Sequence, residues 1–226
     1  MFQLECQHLN YALLLLLYIL INYVVYLSRN NILFNLPLFP LNLVLLPYEY
    51  LPLHIFEPRY KKMVKNSLEN DDAFGIILSQ GESVFNKGVK VGISKVFKEY
   101  SNGEYDILVK GQDPFDVITT RIEDQTIIGQ VEYVSIQTDS NNPQFQTILN
   151  SYIKILLKFG INKDLDLHMN KKISYEFLQG LQLPLSLKKE LISINKETDR
   201  LIFINEIFDN LLKSDIKNSN FNMPQA

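Results

Sequence analysis

Cysteine and histidine, which many metal and catalytic sites need, are scarce in this 226-residue sequence, with one Cys and three His. None of its nine glycines is followed by lysine, so these residues contain no G-x-x-x-x-G-K-[ST] loop to hold the phosphates of a nucleotide. The single cysteine, Cys6, cannot form an internal disulfide and has only His8 near it, while His54 and His168 lie far away. Exposed loop polarity accounts for DLDLH, residues 164–168, more simply than metal ligation. We therefore predict neither a metal nor another cofactor.

The overall charge gives no reason to expect a polyanionic partner. The formal net charge is -3 and the isoelectric point is near 5.7, so the chain as a whole does not attract nucleic acid or an anionic membrane. A local basic patch would escape this count. With 46% hydrophobic residues, the chain is long enough to bury one large core or two modest ones.

A long uncharged run, LNYALLLLLYILINYVVYL, occupies residues 9–27. Its length is close to the ~20 residues that span a bilayer. A cleaved signal peptide would need a positive first segment and a small-residue cleavage site, and neither is present. Two interpretations stay open. One is a membrane tether, for which Arg29 favours a cytoplasmic C-terminal side; the other is an extension from an early start codon, ahead of a cytoplasmic domain that begins near Leu33.

Five prolines interrupt an apolar stretch, LPLFPLNLVLLPYEYLPLHIFEPRY, that runs from Leu36 to Tyr60. Because proline cannot donate a ladder hydrogen bond, LPLFPLNLVLLP is predicted as an edge or bulged strand whose apolar side chains feed a core. Pro58 predicts the start of a helix over 58–68, since its fixed φ suits the first turn. The apolar face of that helix comprises Tyr60, Met63, Val64, Ser67 and Leu68.

Between residues 73 and 136 the hydrophobic period changes to two, which indicates β-strands. The predicted strands are AFGIILS, VKVGISKVF, EYDILVKG and residues 125–136. Asn102-Gly103 in YSNGEY is a hairpin signal because both residues tolerate positive φ. Five or six short strands with regularly spaced turns predict a compact, mostly antiparallel barrel or sandwich.

From residue 142 the pattern becomes helical. Asn142 as N-cap and Pro143 in the first turn predict a helix that ends at Gly160. Further helices, each with a Ser or Thr available as a cap, are expected at 174–181, 186–194 and 198–213.

The predicted organisation is that of an α+β protein. We expect an apolar extension or anchor (1–31), a β-rich barrel with one helix (33–138), a helical subdomain (142–213) and a disordered polar tail (214–226).

These motifs together resemble a known family. The stretch from Leu36 to Val64, followed by FGIIL, GVKVGISKV, NGEYDILVKG and IGQVEYV, is similar to the N-terminal substrate-binding domain of the ATP-dependent protease Lon, the protease La domain. The similarity covers roughly residues 36–212. It implies a β-rich, PUA-like pseudo-barrel followed by a small helical subdomain, and a role in recognising protein substrates.

Lon itself continues into an ATPase module and a Ser-Lys protease module, and this chain stops before either. Ser94 and Lys95 in GISKV are interpreted as alternating strand residues, because the segment lacks the second glycine of a nucleophile elbow. We therefore expect no catalytic residues and a standalone recognition domain that presents proteins to a protease or regulates proteolysis. The alternative is an RNA-binding module, since PUA-like folds also bind RNA. A basic stripe with exposed aromatic residues would favour it.

The candidate binding residues come from the proline-rich stretch. A charge-assisted contact at the helix start explains Glu57 and Arg59 without acid–base chemistry. Some of the neighbouring aromatic residues would line a cleft between barrel and helices. An apolar surface with a few polar groups is what capture of unfolded or client polypeptides requires. The predicted peptide-binding residues are Tyr48, Tyr50, His54, Phe56 and Tyr60.

Overall fold

The computed structural model describes residues 33–136, 142–161 and 168–213. The expectations for the N-terminal extension, for Cys6 and His8, for residues 164–167 and for the tail lie outside these residues. Within the described ranges, no helix is both long enough and apolar enough to cross a membrane.

The sheet has six strands, five of which close into a barrel. The six are β1 (Leu33–Leu41), β2 (Tyr50–Ile55), β3 (Phe74–Gln80), β4 (Ser83–Glu99), β5 (Tyr105–Glu123) and β6 (Thr126–Tyr133). Their order in the sheet is β2-β5-β4-β3-β1-β6, and β5 also pairs with β6, so that β2 stays outside the closed ring. The ring closes because β5, which is 19 residues long, pairs with β4 over Tyr105–Asp116 and with β6 over Phe115–Glu123. Irregularities in the β4–β5 register supply local bending.

The proline-rich strand β1 is not an edge strand, so the first alternative of the predicted edge or bulged strand is wrong. It runs parallel to β3, with Phe39 opposite Ile76, and its other neighbour is β6. It ends at Leu41, so Pro47 falls in the following loop. The edge strand in the described sheet is β2, which pairs only with β5 and contains Pro52. Pro52 follows the rule that places proline at edges, whereas Pro37 and Pro40 on β1 and Pro114 on β5 lie in interior strands.

Helix α1 (Pro58–Asn70) begins at Pro58 as predicted. Tyr60, Met63 and Val64 are buried against strands β2 to β5, but Leu68 is 42% exposed. The apolar contact is therefore concentrated in the first two turns. The helix ends at Asn70, two residues beyond the predicted end, and its C-cap Asp71 has a φ of 58°.

The hairpin between β4 and β5 lies at Asn102-Gly103, as predicted. Gly103 has a φ of 77°, whereas Asn102 has no positive φ. The Gly103 amide donates to the Tyr100 carbonyl at 2.9 Å, and the Tyr100 amide donates to the Glu104 carbonyl at 2.9 Å. The loop is therefore longer than the two-residue turn that this dipeptide favours.

The second part of the chain is helical. It contains α2 (Pro143–Lys158), a 3₁₀ helix (Ser174–Leu178), α3 (Leu185–Ser193) and α4 (Glu197–Lys213). The Asn142 side chain accepts a hydrogen bond from the Gln144 amide at 2.9 Å, and Gly160, with a φ of 77°, follows the end of α2. Both agree with the predicted cap and stop. The division into two domains near residues 138–142 stays a prediction.

The helices share a hydrophobic core with the barrel. Their buried side chains pack with Val44, Leu46, Leu78 and Val89, which belong to β3, β4 and the loop after β1. Packing against a common core orients the helices on the barrel.

A buried ionic cluster joins the 3₁₀ helix to α4. Ser174, Glu197 and Arg200 are 5% exposed or less. Glu197 accepts hydrogen bonds from the amide and hydroxyl of Ser174 at 2.7 and 2.8 Å, and it forms an ion pair with Arg200. Arg200 also donates to the Ser174 hydroxyl at 2.7 Å and lies over the Tyr175 ring at 4.2 Å. Its charge is thus compensated although it is removed from water.

Candidate functional site: a groove between barrel and helices

Residues 42–51, the loop after β1 and the first two residues of β2, form one wall of a groove. Leu45 and Leu46 anchor it in two different hydrophobic clusters. Gly111 of β5 donates to the Glu49 carbonyl and accepts from the Tyr48 amide, both at 2.9 Å. Tyr48 has a φ of 67°, a left-handed conformation that is uncommon for a residue with a side chain. The loop is thus held in one shape by its two anchors and by β5.

Residues 179–188, which lead into α3, form the opposite wall. The two walls enclose a groove of about 620 Å³ with a mainly apolar lining. The apolar side chains include Leu43, Tyr48, Tyr50, Leu181, Leu183 and Leu185. A concave surface of this size and character can accept apolar side chains of another molecule.

Polar contacts tie the two walls together. The Lys188 ammonium lies 2.7 and 2.9 Å from the two carboxylate oxygens of Glu49, and these side chains are only 20% and 11% exposed. Glu49 also accepts from the Leu46 amide at 2.8 Å, and the Gln179 side chain donates to the Tyr48 carbonyl at 3.0 Å. Sequence reasoning missed Glu49, Gln179 and Lys188, because no local pattern connects residues so far apart along the chain.

The predicted binding residues are divided between three places. Tyr48 and Tyr50 lie together at the groove, where the Lys110 ammonium is 5.7 and 5.5 Å from their ring centroids. Tyr50 is 52% exposed. Tyr60, in contrast, is 3% exposed and packs against Phe39 at 4.2 Å between ring centroids, so it belongs to the core.

His54 and Phe56 lie beyond Tyr50 at the far end of β2. Their rings stack at 5.9 Å, and His54 Nδ1 is 2.7 Å from a carboxylate oxygen of Asp106. The Tyr100 hydroxyl donates to the other oxygen at 2.7 Å. Two hydrogen bonds lower the pKa of Asp106. The one from Tyr100 has the larger effect, and the one from His54 the next largest. These residues form an aromatic and polar cluster outside the groove.

The remaining polar candidates have structural explanations. Glu57 and Arg59 contact each other at 2.8 Å, as predicted. Ser94 and Lys95 lie on β4. The described ranges 33–136, 142–161 and 168–213 contain no group of three or more His, Cys, Asp or Glu side chains arranged to hold a metal ion.

Gly111 is where the shape of the groove wall can be tested. A Cβ at this position would lie 2.5 Å from the Leu46 carbonyl oxygen, a backbone atom that cannot move without displacing the loop. We expect Gly111→Ala to lower the free energy of unfolding by about 1–3 kcal/mol and to weaken binding at the groove. Urea denaturation measures the first effect.

Gly81→Ala is a control for adding a methyl group to glycine, because no atom lies within 4 Å of the added carbon. An alanine at this position is strained by the φ of 66°, but its methyl group does not touch the groove wall. Unchanged groove binding in Gly111→Ala would show that the loop adjusts freely.

With the fold and groove established, comparison with known proteins identifies the family. The model of the ATP-dependent protease La (LON) substrate-binding domain matches residues 35–209. The chain belongs to this family. Both the groove and the ionic cluster lie within the matched residues, so they are parts of a LON substrate-binding domain, which by itself is non-catalytic. No curated protein matches the sequence.

Two solved structures show the same fold as this LON substrate-binding domain. The Lon N-terminal domain protein from Xanthomonas campestris is 22% identical with a TM-score of 0.62, and the alignment covers 76% of this chain and 98% of that one. The N-terminal domain of the Mycobacterium avium complex Lon protease is 13% identical with a TM-score of 0.64, and the coverage is 78% and 99%. The predicted β-rich barrel followed by helices is thereby confirmed.

Proposed function

We propose that the groove binds apolar segments of unfolded or degron-bearing client polypeptides, and that the chain serves as an adaptor or regulator of ATP-dependent proteolysis. Membership of the LON substrate-binding family supports a recognition role. The observation that carries the finer proposal is the apolar groove of about 620 Å³ between residues 42–51 and 179–188. The proposed setting is the cytoplasm, with residues 9–27 either tethering the domain to a membrane or preceding it as an extension.

The walls of the groove favour binding without a matching partner sequence. The Glu49–Lys188 ion pair and the hydrogen bond from Gln179 to Tyr48 hold the apolar side chains in place before a ligand arrives. Such pre-organisation reduces the entropy lost on binding. Affinities near micromolar, about -8 kcal/mol, suit a module that must pass its client on.

We expect Tyr50→Ala to weaken binding of an extended, apolar peptide by about 1–2 kcal/mol. The ring is 52% exposed, so the melting temperature should change little. Fluorescence anisotropy with a labelled apolar peptide measures the affinity, and thermal unfolding of the same sample measures stability.

Ile122→Ala is the matched control, because Ile122 is an apolar side chain that is 76% exposed on β5 and does not line the groove. Its affinity for the peptide should equal that of the parent. Equal losses in the two variants would mean that general surface hydrophobicity, and not the groove, captures the peptide.

An RNA-binding module is the second candidate function. The observation that favours it is the exposed end of β4, where the Lys95 and Lys98 ammonium groups lie 5.1 and 4.1 Å from the ring centroids of Phe97 and Tyr100. Interleaved cations and aromatic rings are typical of surfaces that bind single-stranded nucleic acid. RNA binding with a steep dependence on salt, unaffected by Tyr50→Ala, would favour this candidate.

A further inference from the structure

Most positive side chains of the barrel are neutralised by a neighbour. Residues 33–136 contain ten lysines and arginines. Six have a carboxylate oxygen within 3.7 Å, namely Arg59, Lys62, Lys65, Lys87, Lys90 and Arg121. Lys61 donates to the Asn102 carbonyl. Within this fully described range, the three without an ion pair or hydrogen bond are Lys95, Lys98 and Lys110, which we call the lysine row.

Each member of the lysine row lies over an aromatic ring. The ammonium of Lys95 is 5.1 Å from the Phe97 ring centroid, that of Lys98 is 4.1 Å from Tyr100, and that of Lys110 is 5.5 Å from Tyr50. A ring attracts an ammonium through its quadrupole but carries no net charge. Lys95 and Lys110 are therefore positioned without a carboxylate partner. Lys98 lies opposite Asp106, whose pKa it helps to lower, but forms no ion pair with it, so its charge also remains available to a ligand.

The strand register places the lysine row in a line. On β5, Lys110, Leu108 and Asp106 follow one another at every second residue, and Lys95 and Lys98 of β4 pair with Leu108 and Asp106. Successive positions are therefore about 7 Å apart, which is also the spacing of side chains on one face of an extended peptide. The line begins at the rim of the groove, where Lys110 meets the two tyrosines, and ends beside the β4–β5 hairpin.

We propose that the lysine row binds acidic residues that flank the apolar segment held in the groove. The domain then prefers clients in which an apolar segment is followed or preceded by alternating acidic residues. This inference rests on the proposed function, because the groove must hold the apolar part of the same peptide.

Carboxylates on the same face favour a peptide over a nucleic acid. Asp106 accepts from Tyr100 and contacts His54, and Glu104 lies 3.7 Å from His54 Nε2. A phosphate backbone carries a charge at every nucleotide and would be repelled by these carboxylates, whereas a peptide can place neutral residues opposite them.

The test compares peptides that share one apolar segment and differ only in their flanks. The flanks are alternating Asp and Ser, Asn and Ser, or Lys and Ser, each placed before or after the segment. At low ionic strength the peptide with the acidic flank should bind about five- to tenfold more tightly than the peptide with the neutral flank. The comparison uses the better of the two placements of the acidic flank. The advantage should disappear at high ionic strength.

Combined Lys95→Gln, Lys98→Gln and Lys110→Gln should abolish the advantage of the acidic flank, measured as the ratio of the affinities of the acidic and neutral peptides for the same variant. The matched control combines Lys62→Gln and Lys65→Gln with Arg121→Gln. It removes the same charge from residues that have carboxylate partners, and it should retain the preference. An equal loss in both triple variants would show that net charge, not the lysine row, is responsible, and would overturn the inference.

The remaining outcomes separate the inference from the proposed function. If the neutral peptide binds but the acidic flank gives no advantage, the inference is wrong and the groove proposal survives. If the neutral peptide does not bind, both are wrong. If poly-uridine binds more tightly than the acidic peptide and loses its affinity in the lysine-row variant, the ligand of this face is a nucleic acid.

Discussion

Glu197→Gln should lower the free energy of unfolding by about 3–5 kcal/mol, because it leaves the Arg200 charge buried without its partner. Glu197 and Arg200 are 5% and 2% exposed, so water cannot replace the lost carboxylate. Glutamine has nearly the same shape as glutamate, so little of the loss would come from changed packing. Urea denaturation followed by far-UV circular dichroism gives the free energy.

Glu57→Gln is the matched control for this prediction. It removes the carboxylate of an ion pair with Arg59 in which both side chains are at least 36% exposed, and such pairs contribute about 0–1 kcal/mol. Combining Glu197→Gln with Arg200→Met should cost less than the sum of the single changes, since the charge left unpaired by the first is removed by the second. Additive costs would show that the two side chains do not stabilise each other.

Phe39→Ala should also cost about 3–5 kcal/mol of folding stability, because it removes a ring from the core beneath α1 and leaves a cavity. The ring is 8% exposed and contacts Tyr60, with 4.2 Å between the ring centroids. Phe39 does not line the groove, so peptide affinity should be retained at temperatures where the variant is folded. Thermal unfolding and peptide anisotropy on the same sample measure both quantities.

Phe34→Ala on the same strand provides the comparison, since Phe34 is 42% exposed. It should cost about 1 kcal/mol, because much of its ring is already exposed and its ring contact is with Tyr133, at 4.9 Å between ring centroids. A similar loss for Phe34→Ala and Phe39→Ala would contradict the assignment of Phe39 to the core.

Features that depend on neighbouring residues could be predicted from the sequence. Pro58 marks the start of α1, and Asn142, Pro143 and Gly160 mark the ends of α2, because caps and fixed φ values act within one helical turn. Strand periodicity located the first part of β5 for the same reason, since alternation follows from which face of a strand is buried.

Pairing between distant strands could not be predicted in this way. Pro37 and Pro40 suggested an edge or bulged strand, yet β1 lies between β3 and β6, and the edge strand is β2, which contains Pro52. Sequence patterns indicate which residues are extended, but the neighbours of a strand depend on how the whole chain closes into a barrel.

By itself, the sequence determined the order of strands and helices, the family and the presence of aromatic residues near Tyr48 and Tyr50. Only the tertiary structure decided that these two tyrosines face a groove, that Tyr60 belongs to the core, and that Glu49 meets Lys188 across 139 residues. The physical reason is the range of the interactions. Capping and periodicity act over a few residues, whereas a groove and a buried ion pair require surfaces that only folding brings together.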